Sequence, residues 1–279
     1  MNYQVIKQEI RVAQSQEYAR LTTYLLDITE KFTVQERPLV LVCPGGGYEF
    51  TSEREAEIVA MQFNAMGYHT AVLDYSCAPA QFPTALLELS RAVAYLRSHA
   101  EEWRIDPDKI AVLGFSAGGH LAASLGVFWN TEWFAKIREE NGLQLPAESI
   151  RPNALMLAYP VITSGKHAHR GSFEHLLGKE RCRDAFWLNR MSLEKHDMRD
   201  VPPAFIWHTT YDQSVPIENS LYFVTELMRS EKPVEYHVFP GDVHGISLAD
   251  WRTKSEKRFE DTPAAQWIGL AHTWLENWR

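Results

Sequence analysis

The sequence is poor in cysteine and contains no long hydrophobic run. Its three cysteines, Cys43, Cys77 and Cys182, form no C-x-x-C pair, which predicts reduced thiols rather than a disulfide framework or a structural zinc site. One of the most apolar stretches, residues 154–162, is far shorter than a membrane span, and the N-terminal stretch MNYQVIKQEI holds no apolar run of the kind found in secretion signals. We therefore expect a cytoplasmic protein with no membrane partner.

Blocks of basic residues are also missing. The chain has 28 Lys and Arg residues against 36 Asp and Glu residues, which gives a formal net charge of -8. Because nucleic-acid binding needs clustered positive charge to neutralise phosphates, we expect no nucleic-acid partner. The sequence has no H-E-x-x-H pattern for a metal and no phosphate-loop pattern for a nucleotide, so it predicts no metal and no cofactor.

Short apolar runs alternate with amphipathic helical patterns from Pro38 onward. This alternation predicts an α/β fold with a mainly parallel central sheet flanked by helices, in one domain over residues 1–279. The residues before Pro38 alternate well enough to predict an antiparallel hairpin at the sheet edge. The predicted parallel strands are 39–43, 69–75, 109–115, 154–159, 204–209 and 234–239.

Three of the predicted helices have clear boundaries. The pattern Ser52-x-x-Glu55 matches a capping box, in which the Glu side chain returns to the backbone N–H of the capping residue, and it predicts the start of one helix. A second helix follows Pro83, where apolar residues recur at helical spacing. A closing helix is predicted over residues 262–278.

Residues 163–201 interrupt this rhythm with a polar, histidine-bearing insertion. Because a structureless loop of that length is rare inside a compact domain, we predict a small helical lid over the C-terminal edge of the sheet. The insertion contains His167, His169 and His175, which we interpret as solvated rather than as ligands.

The segment GFSAGG, residues 114–119, matches the G-x-S-x-G pattern between a predicted strand and a predicted helix. In that context a tight turn forces Ser116 into a strained, exposed position. The flanking Gly114 and Gly118 let the strand and the helix approach without Cβ atoms between them. Ser116 is therefore the candidate nucleophile, and a plain strand–helix turn is the alternative.

A serine nucleophile of this kind takes its acid and its base from later loops, in the chain order Asp or Glu and then His. Asp212 follows the next-to-last predicted strand, and His244 follows the last one. Asp212 would orient His244, which would accept the serine proton. Asp242 is a weaker candidate acid because it lies only two residues from His244. His120 and His208 are interpreted as packed structural residues.

Three consecutive glycines, Gly45 to Gly47, follow the first predicted parallel strand. With a nucleophile elbow downstream, this loop is where oxyanion donors are expected. The backbone N–H groups of Gly46, Gly47 and Ala117 are therefore the candidates for the oxyanion hole. A plain turn is the alternative.

A resemblance to the α/β-hydrolase esterases of the acetyl esterase and acetyl xylan esterase-like group is carried by the segments CPGGGY, SEREAE, LDYS, GFSAGGHLAASLG, AYPVI, HTTYDQSVPIENSL and PGDVHGISLA. It covers nearly the whole chain from about residue 38. The resemblance implies a serine carboxylesterase with Ser116, Asp212 and His244 as its triad, acting on short acyl groups, acetate especially, carried by carbohydrate. Pro44 stands where hormone-sensitive-lipase-type enzymes carry His, so their lipid-ester preference is not carried over.

Four aromatic residues are placed to line a substrate pocket: Tyr48, Phe115, Tyr159 and Tyr211. Aromatic faces suit sugar rings, although core packing explains aromatic residues at least as often. The expected partner is a small-molecule ester such as an acetylated sugar. The tryptophan-bearing C-terminal segment leaves a homo-oligomer open.

Together these residues predict a serine esterase that forms an acyl-enzyme intermediate. Two alternatives stay open. An amidase or peptidase would use the same three residues, and a ligand-binding protein could retain the same scaffold, although a pure binder has no need of a nucleophile and its base together.

Overall fold

The computed structural model describes residues 4–255 and 262–277. Within these residues, eight strands form one sheet in the order β1-β2-β4-β3-β5-β6-β7-β8. The strands are β1 (Gln4–Glu9), β2 (Arg20–Leu25), β3 (Arg37–Cys43), β4 (His69–Asp74), β5 (Ile105–Phe115), β6 (Ala154–Ala158), β7 (Ala204–Thr209) and β8 (Val234–Phe239).

Strand direction follows the prediction. β1 and β2 form an antiparallel hairpin at one edge, β2 pairs antiparallel with β4, and all pairings from β4 through β8 are parallel. The central strands read as continuous apolar runs because helices cover both faces of the sheet. Since the strands are parallel, the loops after β3, β5, β7 and β8 all leave from the same edge.

Helices cover the two faces of this sheet. Along β3, Leu39 and Leu41 pack into one core and Val40 and Val42 into the other, as the alternation of strand side chains requires. The helices are α1 (Glu57–Ala65), α2 (Thr84–Ser98), α3 (Ala100–Trp103), α4 (Ser116–Phe128), α5 (Glu132–Glu140), α6 (Ala147–Ile150), α7 (Arg170–Arg181), α8 (Ala185–Arg190), α9 (Glu218–Arg229) and α10 (Trp267–Glu276). In the described parts of the chain, none is both long and apolar enough to cross a membrane.

The predicted capping box at Ser52 is wrong. The Ser52 side chain makes no capping hydrogen bond, and a short 3-10 turn, Glu53–Glu55, precedes α1. Glu55 is buried, and its carboxylate accepts a hydrogen bond from the N–H of Gly45, so it cannot return to the backbone of Ser52. The Glu55 carboxylate is therefore a buried hydrogen-bond acceptor and not part of a helix cap.

Two other predicted helices are confirmed. The helix after Pro83 is α2, which buries its apolar stripe against the sheet. The closing segment is a 3-10 turn, Pro263–Gln266, followed by α10. Trp278, at the end of the predicted closing helix, lies outside the described residues.

Short helices fill the predicted insertion at residues 163–201. α7 and α8 lie here, and α7 is kinked at Gly178, whose φ of 75° is in the left-handed region. Phe173 and Leu176 of α7 are buried in the same core as α2 and α4, whereas Phe186 of α8 is exposed. The function of the insertion as a lid stays a prediction.

His120 ties helix α4 to the insertion. Its Nδ1 accepts a hydrogen bond from the Tyr48 hydroxyl (2.9 Å), and its Nε2 donates one to the carbonyl of Met191 (2.9 Å). Burial lowers the pKa of His120 to about 4. The neutral ring is therefore part of the folded core, as the structural interpretation of this residue predicts.

The pKa of His120 makes stability depend on pH. The unfolded chain takes up a proton here near pH 6.5, and the folded chain does so only near pH 4, so the free energy of unfolding falls as the pH drops between these values. At pH 4, His120 accounts for a loss of about 3 kcal/mol in the free energy of unfolding. Urea unfolding at several pH values should show a shallower decline for His120→Gln than for wild type. Parallel declines would contradict this.

Candidate active site

Ser116 lies at the turn between β5 and α4 with a φ of 51°, a left-handed conformation that is uncommon for a residue with a side chain. The turn is possible because glycines surround it. A Cβ at Gly118 would overlap the carbonyls of Cys43 and Pro44, and a Cβ at Gly119 would lie 2.7 Å from the Cβ of Pro160. The structure thus contains the strained elbow that the G-x-S-x-G pattern predicts.

Three side chains from separate loops meet at this turn. The Oγ of Ser116 lies 2.7 Å from Nε2 of His244, and Nδ1 of His244 lies 2.6 Å from Oδ2 of Asp212. Asp212 follows β7 and His244 follows β8, so the parallel sheet brings both loops to the edge where β5 ends. Asp242 does not take this place, because Nδ1 of His244 is bound by Asp212.

The Asp212 carboxylate is buried and held on all sides. Its Oδ1 accepts hydrogen bonds from the backbone N–H groups of Ser214 and Val215 (2.9 Å each), and Oδ2 also lies 3.6 Å from Nε2 of His208. Burial alone would raise the pKa of Asp212, but the interactions with His208 and His244 hold it well below its usual range. Asp212 therefore stays ionised.

His208 is a structural residue, as predicted. It is fully buried in β7, with Nδ1 2.7 Å from the hydroxyl of Ser220 and Nε2 donating to the carbonyl of Val215 (2.9 Å). Val215 is also one of the two residues whose N–H groups bind Asp212. His208 therefore supports the loop that carries the carboxylate.

The glycine loop lies beside Ser116 with its backbone exposed to the site. Gly46 (φ 130°) and Gly47 (φ 67°) adopt conformations that favour glycine. In the described part of the chain their N–H groups donate no hydrogen bond, whereas the Gly46 carbonyl accepts from Glu49. Ala117 lies in the first turn of α4, where N–H groups lack partners within the helix.

A buried network joins the glycine loop to the His244 loop. Glu55 accepts the N–H of Gly45 (2.9 Å) and the hydroxyl of Tyr159 (2.6 Å), and the Tyr159 oxygen accepts the N–H of Ser247 (2.9 Å). The Tyr159 ring also packs edge-on against His244, with centroids 5.0 Å apart. Glu55 is not among the site residues predicted from the sequence, because its spacing from Ser52 matches a capping box.

A cavity of about 440 Å³ opens in front of Ser116 and His244. Its walls include the glycine loop, Phe50 and Arg54 from the turn after it, and His169 and His175 from the insertion. The Arg54 guanidinium donates to the carbonyl of Gly245 (2.8 Å), which ties this wall to the His244 loop. The cavity is small, has both polar and apolar walls, and includes the exposed ring of Phe50 in its lining.

None of the four predicted aromatic pocket residues lines this cavity. Tyr48 and Phe115 are buried in the two cores, and Tyr159 holds the network around Glu55 and packs against His244. Tyr211 is 70% exposed, outside the cavity. Core packing and the buried network therefore account for three of these side chains.

The three histidines of the insertion also differ from the expectation of solvated side chains. His169 and His175 are partly buried and line the cavity. His167 is partly buried as well and lies 3.5 Å from Glu218 of α9. The sequence carries no periodic signal that could have told these three residues apart.

The mostly parallel sheet and the strained serine elbow define the chain as an α/β hydrolase. It belongs to the BD-FAE family, whose model matches residues 26–227. The predicted resemblance to esterases of the acetyl esterase and acetyl xylan esterase-like group is confirmed.

Three relatives illustrate this similarity. Endo-1,4-beta-xylanase B of Butyrivibrio fibrisolvens is 36% identical over 219 residues, which are 77% of this chain and 33% of that protein. The acetyl ester-xyloside bifunctional hydrolase of Caldicellulosiruptor lactoaceticus is 33% identical with a TM-score of 0.77, over 93% of this chain and 88% of that structure. The carboxylesterase Cest-2923 of Lactobacillus plantarum is 28% identical with a TM-score of 0.79, over 98% and 97%.

The chain spans between 33% and 50% of the length of the first curated relatives that it matches. By contrast, this chain and each of the two solved structures match over nearly the full length of each. The shared unit is therefore the α/β-hydrolase domain.

Removing the Tyr159 hydroxyl should loosen both loops of the site. Tyr159→Phe leaves a carboxylate oxygen of Glu55 and the N–H of Ser247 with one partner fewer in a buried place, which costs about 1–3 kcal/mol of unfolding free energy. We expect kcat for p-nitrophenyl acetate to fall by roughly tenfold, because the reacting groups lose their alignment. Tyr222→Phe, on the outer surface of α9, should change neither quantity. Equal behaviour of the two variants would contradict the role of the network.

Proposed function

We propose that the chain is a serine carboxylic-ester hydrolase that removes short acyl groups, acetyl above all, from carbohydrate alcohols. The observation that carries the proposal is the relay of 2.7 Å and 2.6 Å contacts from Ser116 through His244 to Asp212. A neutral imidazole held between a hydroxyl and a buried carboxylate is the arrangement that activates a serine. Ser116, His244 and Asp212 are the proposed triad.

The proposed reaction follows from these positions. Nε2 of His244 accepts the proton of Ser116 as its Oγ attacks the acyl carbon, and Asp212 stabilises the imidazolium that forms. The negative oxygen of the tetrahedral intermediate is bound by backbone N–H groups of Gly46 or Gly47 and of Ala117. His244 then protonates the leaving alcohol oxygen, and the acyl group stays on Ser116.

Water completes the proposed cycle. His244, neutral again, accepts a proton from water as the water oxygen attacks the acyl carbon, and the proton returns to Ser116 Oγ when the carboxylic acid leaves. Each step uses only groups within the relay and the glycine loop. The cycle needs no cofactor for its atoms and charges to balance.

The cavity supports a short acyl group and a polar alcohol. A volume of about 440 Å³ limits the length of the acyl chain, and Arg54 and two imidazoles in the walls offer partners to hydroxyl groups. The exposed ring of Phe50 at its edge suits the face of a sugar. One structural relative is named an acetyl ester-xyloside bifunctional hydrolase, and an acetyl ester of a sugar agrees with this proposal.

We propose that the insertion at residues 163–201 acts as the lid of this site. It contributes His169 and His175 to the cavity wall, and His175 contacts the carbonyl of Gly47 in the glycine loop. The buried contacts of Phe173 and Leu176 anchor it to the domain. A lid of this size would restrict the alcohol part of the substrate.

Replacing the nucleophile tests the proposal directly. Ser116→Ala should lower kcat/KM for a small acetate ester by at least ~10³-fold, while circular dichroism and the unfolding midpoint stay close to wild type. A matched acetamide should react far more slowly than the ester with the wild-type protein. Retained ester hydrolysis in Ser116→Ala would remove this serine from the mechanism, and equal amide turnover would favour an amidase.

The pH profile tests the roles of the other two groups. Because the pKa of Asp212 is held well below its usual range, its carboxylate stays charged over the whole assay range. Activity measured from pH 5 to about 8 should therefore rise with pH, because only a neutral imidazole at His244 can accept the Ser116 proton. A flat profile over that range would contradict His244 as the base.

A further inference from the structure

Two imidazoles in the cavity wall take no part in the proposed triad. His169 stands at the N-cap position of α7, without a side-chain capping hydrogen bond, and His175 lies about 1.7 turns further along the same helix. Both line the cavity that contains Ser116 and His244. The proposed cycle uses neither ring, so their position needs a separate explanation.

The hydrogen bond of His175 determines which of its nitrogens carries the proton. Nδ1 lies 3.0 Å from the carbonyl oxygen of Gly47, and a carbonyl can only accept, so Nδ1 is the donor. In the neutral ring Nε2 is then an acceptor. In the described part of the chain, Nε2 of His175 has no hydrogen-bond partner. His175 thus supports the glycine loop with one nitrogen and leaves the other for a ligand.

His169 lies close enough to the triad to interact with it electrostatically. Its Nδ1 is 2.8 Å from the hydroxyl of Ser172, and its ring interacts electrostatically with His244 and Asp212. Burial is the main cause that lowers the pKa of His169, and it favours the neutral ring. A leaving alcohol must also lie close to His244, because it takes its proton from Nε2 of that residue.

We propose that His169 and His175 form an alcohol subsite that selects esters whose leaving alcohol carries further hydroxyl groups. This inference rests on the proposed esterase function. Nε2 of His175 can accept a hydrogen bond from a hydroxyl, and the second nitrogen of His169 can pair with another hydroxyl as donor or acceptor. An alcohol without hydroxyls leaves these nitrogens of two partly buried rings unpaired. A site built in this way discriminates by the partner that the poorer substrate lacks.

A second cavity adjoins this subsite at His175. It has a volume of about 990 Å³ and is lined by Glu174, Lys179 and Arg181 of α7 and by Gln81 from the loop before α2. The kink at Gly178 accommodates Gln81, since a Cβ there would overlap the Gln81 side chain. The polar groups of this cavity offer further partners to an alcohol that carries several hydroxyls.

The test uses two acetate esters that differ only in hydroxyl groups. Glycerol 1-monoacetate and propyl acetate have three-carbon alcohols, and the quantity measured is the ratio of their kcat/KM values. His175→Asn is the informative variant, because its amide nitrogen can replace Nδ1 as donor to Gly47 while the Nε2 acceptor is removed. The expected result is a fall in the ratio by about tenfold for His175→Asn, and a similar fall for His169→Asn.

The control is His167→Asn, which changes a histidine of the same insertion that lines neither cavity. Its ratio should equal that of wild type. An unchanged ratio in both His175→Asn and His169→Asn, with wild type hydrolysing both esters, would overturn the alcohol subsite and leave the esterase proposal standing. If wild type hydrolysed neither ester, the proposed function and the inference would both fail.

Discussion

The close approach of α4 to the ends of β3 and β5 is the constraint on which the site depends. Only glycine fits at position 118, where a side chain would overlap the backbone of Cys43 and Pro44, and the turn that results holds Ser116 at a φ of 51°. That strain presents Oγ at the sheet edge. The parallel order of the strands then delivers Asp212, His244 and the glycine loop to the same edge. With a looser turn, the same residues would still lie at this edge of the sheet, but their reacting atoms would be further apart.

Buried polar groups around the turn hold the side chains of the site in place. Asp212 is buried among backbone N–H groups and remains ionised, so a negative charge lies 2.6 Å from Nδ1 of His244. Burial lowers the pKa of the neighbouring His169, which disfavours a positive charge on that ring. The network of Glu55 and Tyr159 joins the glycine loop, which carries proposed oxyanion donors, to the loop of His244, the proposed base.

Most of the fold and the three proposed triad residues can be predicted from the sequence. The features that cannot be predicted share one cause. The strands, Ser116, Asp212 and His244 follow from local patterns and chain order, because each lies at a strand end whose direction the α/β fold dictates. Side-chain direction at tertiary contacts is not local. Glu55 matches a cap yet turns inward to Gly45, Tyr48 and Phe115 belong to the cores, and the exposed ring at the cavity is Phe50. His169 and His175 reach the site only through the docking of α7.

The central claim is that Ser116 becomes covalently acylated because His244 and Asp212 activate it. Rapid acid quenching of the protein during p-nitrophenyl acetate turnover, followed by peptide mass spectrometry, tests it most directly. The account predicts a transient acetyl group on the peptide that contains Ser116, and none on that peptide in His244→Ala. An acetyl group on another residue, or ester turnover with unmodified Ser116 at every quench time, would contradict it.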